Sequence, residues 1–193
     1  MNRPWWSVAL QWTLWFLVMT AVMGWLARSR LRPRPSSEGR QVRHPVSTLI
    51  LGLIGFTFFA GIAILSNVYA NRTTTIYTTL TFVGFALLSL PLVADYVFAR
   101  HEVCEQGMHY GRMIGVRGTF EWREVVRVRF APSMKWFTIT LMDGRTVRVS
   151  AMMMGLPEFA RLLLNGVNGE ALDADTRALL DATAAGHPPS IWR

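Results

Sequence analysis

Three runs without a formal charge fill the first half of the chain, at 4–27, 44–71 and 73–94. Each exceeds the ~20 apolar residues that a helix rising about 1.5 Å per residue needs to cross ~30 Å of hydrocarbon. Lipid offers the backbone no hydrogen-bond partners, so such spans must be helical. The pattern predicts membrane helices near 5–27, 46–70 and 76–99, the last with a break at Pro91. After residue 101 the continuous apolar run gives way to alternation. Val103-Cys104-Glu105 reads as strand, Gln106-Gly107 as turn, Met108 to Ile114 as a second strand and Gly115 to Gly118 as another turn. From Trp122 the even positions Val126, Val128 and Phe130 oppose the odd positions Arg123, Val125, Arg127 and Arg129, which predicts one strand with an apolar and a basic face. Pro132-Ser133 ends it. Phe137, Ile139 and Leu141 then alternate, and Asp143-Gly144 predicts a tight hairpin whose returning strand carries Val147, Arg148 and Val149. Pro157 and Glu158 open a helix with Phe159, Leu162 and Leu163 on one stripe. A second helix is expected over roughly 170–184, followed by a loose tail from His187.

The fold class expected is therefore membrane all-α, three transmembrane helices, joined to a small α+β domain. The boundaries are 1–99 for the membrane region, 100–167 for the domain and 168–193 for the last helix and tail.

Charge adds direction to this layout. Residues 1–99 hold eight Arg against Glu38 and Asp95, whereas residues 100–193 hold twelve Lys or Arg against ten Asp or Glu. Most of the net +8 lies in the loop 28–45, where Arg28, Arg30, Arg32, Arg34, Arg40 and Arg43 face Glu38 alone. By the positive-inside rule these six arginines determine topology: the loop is cytoplasmic, the N-terminus outside, and the C-terminal domain cytoplasmic. Pro33, Pro35, Ser36 and Ser37 make the loop read as flexible. The first span is longer than a signal core, has no small-x-small site before Arg28, and is expected to remain as an anchor. Trp5, Trp6 and Trp25 mark its ends as interfacial aromatics, while Trp12 and Trp15 read as packing groups. Gly52, Gly55, Gly61 and the Thr20-x-x-x-Gly24 pair permit close helix approach.

Candidate chemistry changes the picture little. Polar groups inside a membrane are costly, which singles out Gln11 and Asp95. Gln11 lies near the outer end, and Asp95 lies one turn from the cytoplasmic side, placed to pair with Arg28 or Arg100. No His, Lys or second carboxylate in the spans completes a relay. Cys104, with His101 and His109, makes neither a thiol–imidazole couple nor a zinc site, because three or five positions along a strand turn the side chains to opposite faces. Cys104 reads as a buried structural thiol, and Met152, Met153 and Met154 as packing groups. No catalytic residue, metal ligand or cofactor motif is predicted, and no small-molecule substrate or nucleic-acid surface.

The order of Gly107 turn, strand, Trp122-Arg123-Glu124-Val125, strand, Asp143-Gly144-Arg145, strand and Pro157-Glu158-Phe159 helix resembles the bacterial pleckstrin-homology-like domains, which occur fused to transmembrane helices in small bacterial membrane proteins. The likeness covers about 101–165. It implies a bent antiparallel sheet closed by a C-terminal helix, in a multi-pass protein of the bacterial inner membrane. The phosphoinositide site of eukaryotic relatives uses a basic cluster in the first hairpin. Here Val103 to Ile114 holds Arg112 alone, beside Glu105, so that site is not carried over. The candidate surface is instead the basic strand face: Arg123, Arg127, Arg129 and, across the sheet, Arg148. Its arginines fit binding to anionic lipid headgroups or a protein partner, at about 1 kcal/mol each near an anionic leaflet; they equally fit an ordinary charged edge that blocks aggregation. The expectation is a non-enzymatic membrane-anchored interaction module that binds membrane lipids, a protein partner or itself. The alternative is a subunit of a transport or envelope-maintenance complex, in which the three spans do the work.

Overall fold

The structure is a computed structural model that describes residues 5–29, 40–112 and 114–190. Three helices, α1 (Trp5–Ser29), α2 (Val46–Val68) and α3 (Ile76–Phe98), are each long and apolar enough to cross a membrane. Helix α1 touches α2 only lightly, and Trp12 and Trp15 stand exposed on it rather than serving as packing groups within the chain. Helices α2 and α3 form a tight antiparallel hairpin. A Cβ on Gly52 would meet Val93 Cγ2 at 2.9 Å, and one on Gly55 would meet Ser89 Oγ at 2.7 Å, so these two positions let the backbones close. Among the described residues nothing lies within 4 Å of a Cβ on Gly24 or Gly61. Phe59 stacks on Phe85 further along, with centroids 5.1 Å apart. At the turn, Asn71 Oδ1 accepts from the Thr73 amide at 2.9 Å, and Thr75 and Thr78 form a reciprocal capping box that starts α3. Helix α3 runs unbroken through Pro91, contrary to the expected break. A proline withdraws one donor from the helical ladder, and the surrounding turns hold the helix across that gap.

The remaining chain builds two antiparallel sheets. The first has the order β1 (Gln41–Arg43), β2 (Arg100–Val103), β3 (Gly107–Gly111) and β4 (Arg117–Glu121). The second has the order β5 (Val125–Ala131), β6 (Trp136–Leu141) and β7 (Thr146–Ser150). Strand β1 pairs Val42 with His101 and Arg43 with Arg100, so the whole α2–α3 hairpin is inserted between two neighbouring strands. The end of the loop expected to be flexible is thus an edge strand of the sheet. The backbone needs partners for its amides wherever it is buried, and β2 supplies them.

Two further expectations change at the corner between the sheets. Strand β4 begins at Arg117, inside the turn expected at Gly115 to Gly118, and Trp122–Glu124 is a 3-10 turn rather than the start of a strand. A bulge between Val125 and Arg127 then shifts the alternation, so that Val125 is buried and Val126 is 53% exposed. The Trp122 ring is buried edge-on to Phe120 at 5.5 Å, and its Nε1 donates to the Cys104 carbonyl at 3.0 Å. The Asp143-Gly144 hairpin forms as expected, with Gly144 at φ 81° and the Arg145 amide donating to Asp143 Oδ1 at 2.9 Å.

After β7 the Met154 amide donates to the Arg43 carbonyl at 2.8 Å, joining the second sheet's exit to the edge of the first. Gly155, at φ 84°, turns the chain where a side chain would strike the Gln41 carbonyl. Helix α4 (Leu156–Gly166) lays Phe159, Ala160, Leu162 and Leu163 into the space between the sheets. Phe159 meets Phe137 with centroids 6.0 Å apart, and Val42, Val103, Met108 and Ile139 complete the same core. Helix α5 (Ala174–Ala184) is shorter at its start than expected, because Gly169–Ala171 is a separate 3-10 turn. It is capped by Asp173 and fixed to β5 where the Phe130 amide donates to buried Thr176 at 3.2 Å.

Candidate functional site

Cross-strand register decides which of the predicted basic residues meet. Arg129 is opposite Thr138, and Thr138 is opposite Arg148, so the three share one row on the outer face of the second sheet. Arg127, opposite Thr140, stands on the same face one row along. Arg123 is not part of this array: it sits in the 3-10 corner, 2.6 Å from Glu121. At the β5 end of the face Asp173 lies 3.8 Å from Arg129. Hydrogen bonds with Thr176, helped by Arg129 and Arg127, hold the Asp173 carboxyl below the usual range. At the β7 end the Arg148 guanidinium lies 4.8 Å over the Trp136 ring.

The predicted topology set divides in the same way. Arg30, Arg32 and Arg34 lie outside the described residues. Arg28 is exposed at the end of α1, Arg43 belongs to β1, and the Arg40 carbonyl accepts from the Val103 amide at 2.8 Å.

A second locus lies where the hairpin enters the domain, and no sequence motif marked it. The residues just before α2 and just after α3 come together because an antiparallel hairpin places both of its open ends side by side. His44 and His101 are thereby neighbours at 8% and 4% exposure, and Asp95 in the last turn of α3 faces His44. The partner expected for Asp95 was Arg28 or Arg100; the ionisable group the fold supplies is a histidine. His101 Nδ1 accepts from the Gly111 amide at 3.4 Å, which leaves the proton of the neutral ring on Nε2. That Nε2 and the Nδ1 of His44 are buried without a hydrogen-bond partner among the described residues. An unsatisfied buried donor costs about 1–3 kcal/mol. Burial pushes the His101 pKa from 6.5 down to about 4, with His44 pushing the same way. Burial also lowers His44, opposed by Asp95.

These groups line a cleft of about 620 Å³ between the hairpin end and the sheets, with Arg112, Trp136 and Arg148 on its far wall. Arg112 is held there by donating to the Thr146 carbonyl at 3.0 Å and by lying 5.8 Å over Tyr110. A second groove of about 530 Å³, lined by Arg43, Arg100, His109 and Arg117, lies on the other side of His101. The arrangement provides cationic and N–H donor groups around one carboxylate, which is a binding chemistry. Cys104, half-buried, donates its thiol to the Gly107 carbonyl at 3.2 Å in the β2–β3 turn, and His101 and His109 point to opposite faces of the sheet. Among the described residues, no three His, Cys, Asp or Glu groups converge as metal ligands.

The class that fold and site define is an α+β unit of two antiparallel sheets and a closing helix, built around a hairpin of apolar helices. No family model, curated protein or solved structure matches the chain.

Proposed function

We propose that the chain is a non-enzymatic integral membrane protein that presents a pleckstrin-homology-like domain at the cytoplasmic face of a bacterial inner membrane. There the basic face of β5–β7 engages protein partners or anionic headgroups. The observation that carries this reading is the insertion of α2 and α3 between β1 and β2. Two covalent connections, Pro45 into α2 and Ala99 out of α3, tie the sheet to the end of the hairpin. With the hairpin in a bilayer, the domain cannot leave the surface or present its far side to it. The four-plus-three strand order closed by α4 supports the pleckstrin-homology-like reading, and the arginine excess before α2 supports the orientation.

The test uses the full chain in nanodiscs with and without anionic lipid. Amide hydrogen exchange in β5 and β6 is expected to slow when anionic lipid or a captured partner is present. Arg127→Gln, Arg129→Gln and Arg148→Gln combined should abolish that protection. Protection that is absent in the parent, or unchanged in the triple variant, would rule out the face as a binding surface.

A further inference from the structure

From the cleft at the hairpin–domain junction, we infer a binding site for one phospholipid headgroup, a phosphodiester that also carries a hydrogen-bond-donating amine or hydroxyl. This inference rests on the membrane reading above and names a ligand for the cleft beside the basic face, with which it shares Arg148.

Four observations converge. The cleft floor holds two imidazoles, each more than nine-tenths buried, with His44 Nδ1 and His101 Nε2 lacking hydrogen-bond partners among the described residues. His44 lines this cleft and not the second groove. His101 has its Nδ1 committed to the Gly111 amide, which leaves the proton of the neutral ring on Nε2. The facing wall carries two guanidinium groups, Arg112 and Arg148, each seated on an aromatic ring that fixes its position. Two guanidinium groups around one space match the oxygens of a phosphodiester.

Among the described residues Asp95 is the one carboxylate lining the cleft, and it would repel a bare anion. A headgroup with an ammonium or hydroxyl beyond its phosphate turns that repulsion into a hydrogen bond. A choline headgroup carries positive charge but no N–H, so it leaves the carboxylate without a donor.

The surroundings favour a lipid over a free phosphate ester. Arg112 opens the β3–β4 hairpin, whose tip carries Ile114 and Val116, exposed at 73% and 48%. The tip lies against the end of α3, where a Cβ on Gly115 would come 3.9 Å from the Phe98 ring. An apolar rim thus runs from the cleft wall onto the apolar helix. Acyl chains leaving a bound headgroup would lie along it.

The test is binding of dioctanoyl phosphatidylethanolamine, phosphatidylglycerol and phosphatidylcholine, and of deacylated glycerophosphoethanolamine, to the full chain in detergent. Native mass spectrometry and the ligand-induced shift in melting temperature are the two readouts. At least one of the first two lipids is expected to bind tenfold or more tightly than phosphatidylcholine, and the deacylated headgroup to bind more weakly still. Arg112→Gln and Arg148→Gln should each weaken lipid binding about tenfold, with Arg148→Lys retaining part of it. Arg161→Gln, on the outer surface of α4, should leave it unchanged. His101→Leu should reduce the lipid-induced shift. If His101→Leu does not fold, the two arginine variants decide. Parent-like binding in both arginine variants overturns the site. Phosphatidylcholine or glycerophosphoethanolamine binding as tightly as the best lipid overturns the assigned ligand. Failure of the membrane reading would show separately, as a chain released from the membrane fraction by alkaline extraction.

Discussion

At His101, burial and the ordinary basicity of imidazole oppose each other. The folded chain holds the ring neutral with a pKa of about 4, against 6.5 in the unfolded chain. Above 6.5 neither state binds the proton and stability is unaffected. As pH falls below 6.5 the unfolded state takes the proton first, so stability declines until the folded ring also titrates near 4. The shift corresponds to roughly 3 kcal/mol at most. His44, lowered by burial as well, adds loss of the same sign. The melting temperature of the purified full chain is therefore expected to fall on acidification through this window. His101→Asn should flatten the slope, and an identical slope in parent and variant would contradict the burial argument. The pair was partly legible in the sequence: His44 precedes the second apolar run and His101 follows the third, and a helical hairpin makes such positions neighbours. What could not be read was that the rings share a cleft with the second sheet, whose strands β6 and β7 are distant from them in sequence.

The elements owe their positions to partners distant in sequence, and strand β1 shows this most clearly. Three residues cannot form a stable strand alone, and Gln41–Arg43 exists because β2 pairs with it on one side and the Met154 amide donates to its Arg43 carbonyl on the other. Val42 is fully buried by that docking. Val42→Ala is expected to cost about 2 kcal/mol, and Phe159→Ala at the centre of the closing helix about 3–5 kcal/mol. Chemical denaturation of the detergent-solubilised chain measures both. A Val42→Ala cost near zero would mean that β1 is not part of the folded sheet. The parity of β5 illustrates the same dependence. Alternation from Trp122 puts Val126 inside, but the corner turn and the bulge hand that place to Val125. A period-two pattern carries no mark of an inserted residue, whereas Asp143-Gly144 specifies its turn locally because glycine accepts the positive φ there.

On the scale of the whole molecule, the proposed topology makes a sharp expectation. In a Cys104→Ser background, Asn71→Cys in the turn between α2 and α3 should react with a membrane-impermeant thiol reagent in intact cells. Arg123→Cys at the corner of the two sheets should react only after the cells are opened. The reverse pattern would invert the orientation assigned from the arginines. The two ends of the hairpin lie about 35 Å apart at about 1.5 Å per residue, so a single bilayer separates these positions cleanly. The sheet draws β1 from before the hairpin, so a piece made of residues 100–193 would leave the edge of β2 unpaired.

The sequence by itself determined the three apolar helices, the hairpin at Asp143-Gly144 and the amphipathic stripe of α4. Each of these follows from interactions within a few turns or a few residues of chain: span length against a hydrocarbon thickness, backbone φ at a turn, the side-chain period of a helix. The basic row across β5–β7 was half legible, since alternation exposes Arg127 and Arg129 but only register sets Arg148 opposite them. Only the tertiary structure decided that a strand from before α2 completes a sheet begun after α3, and that His44, Asp95 and His101 line one cleft with Arg112 and Arg148. Those groups are brought together by pairing across the long interruption of the hairpin. No local pattern encodes such a contact, because its energy is gained only once both sides have folded.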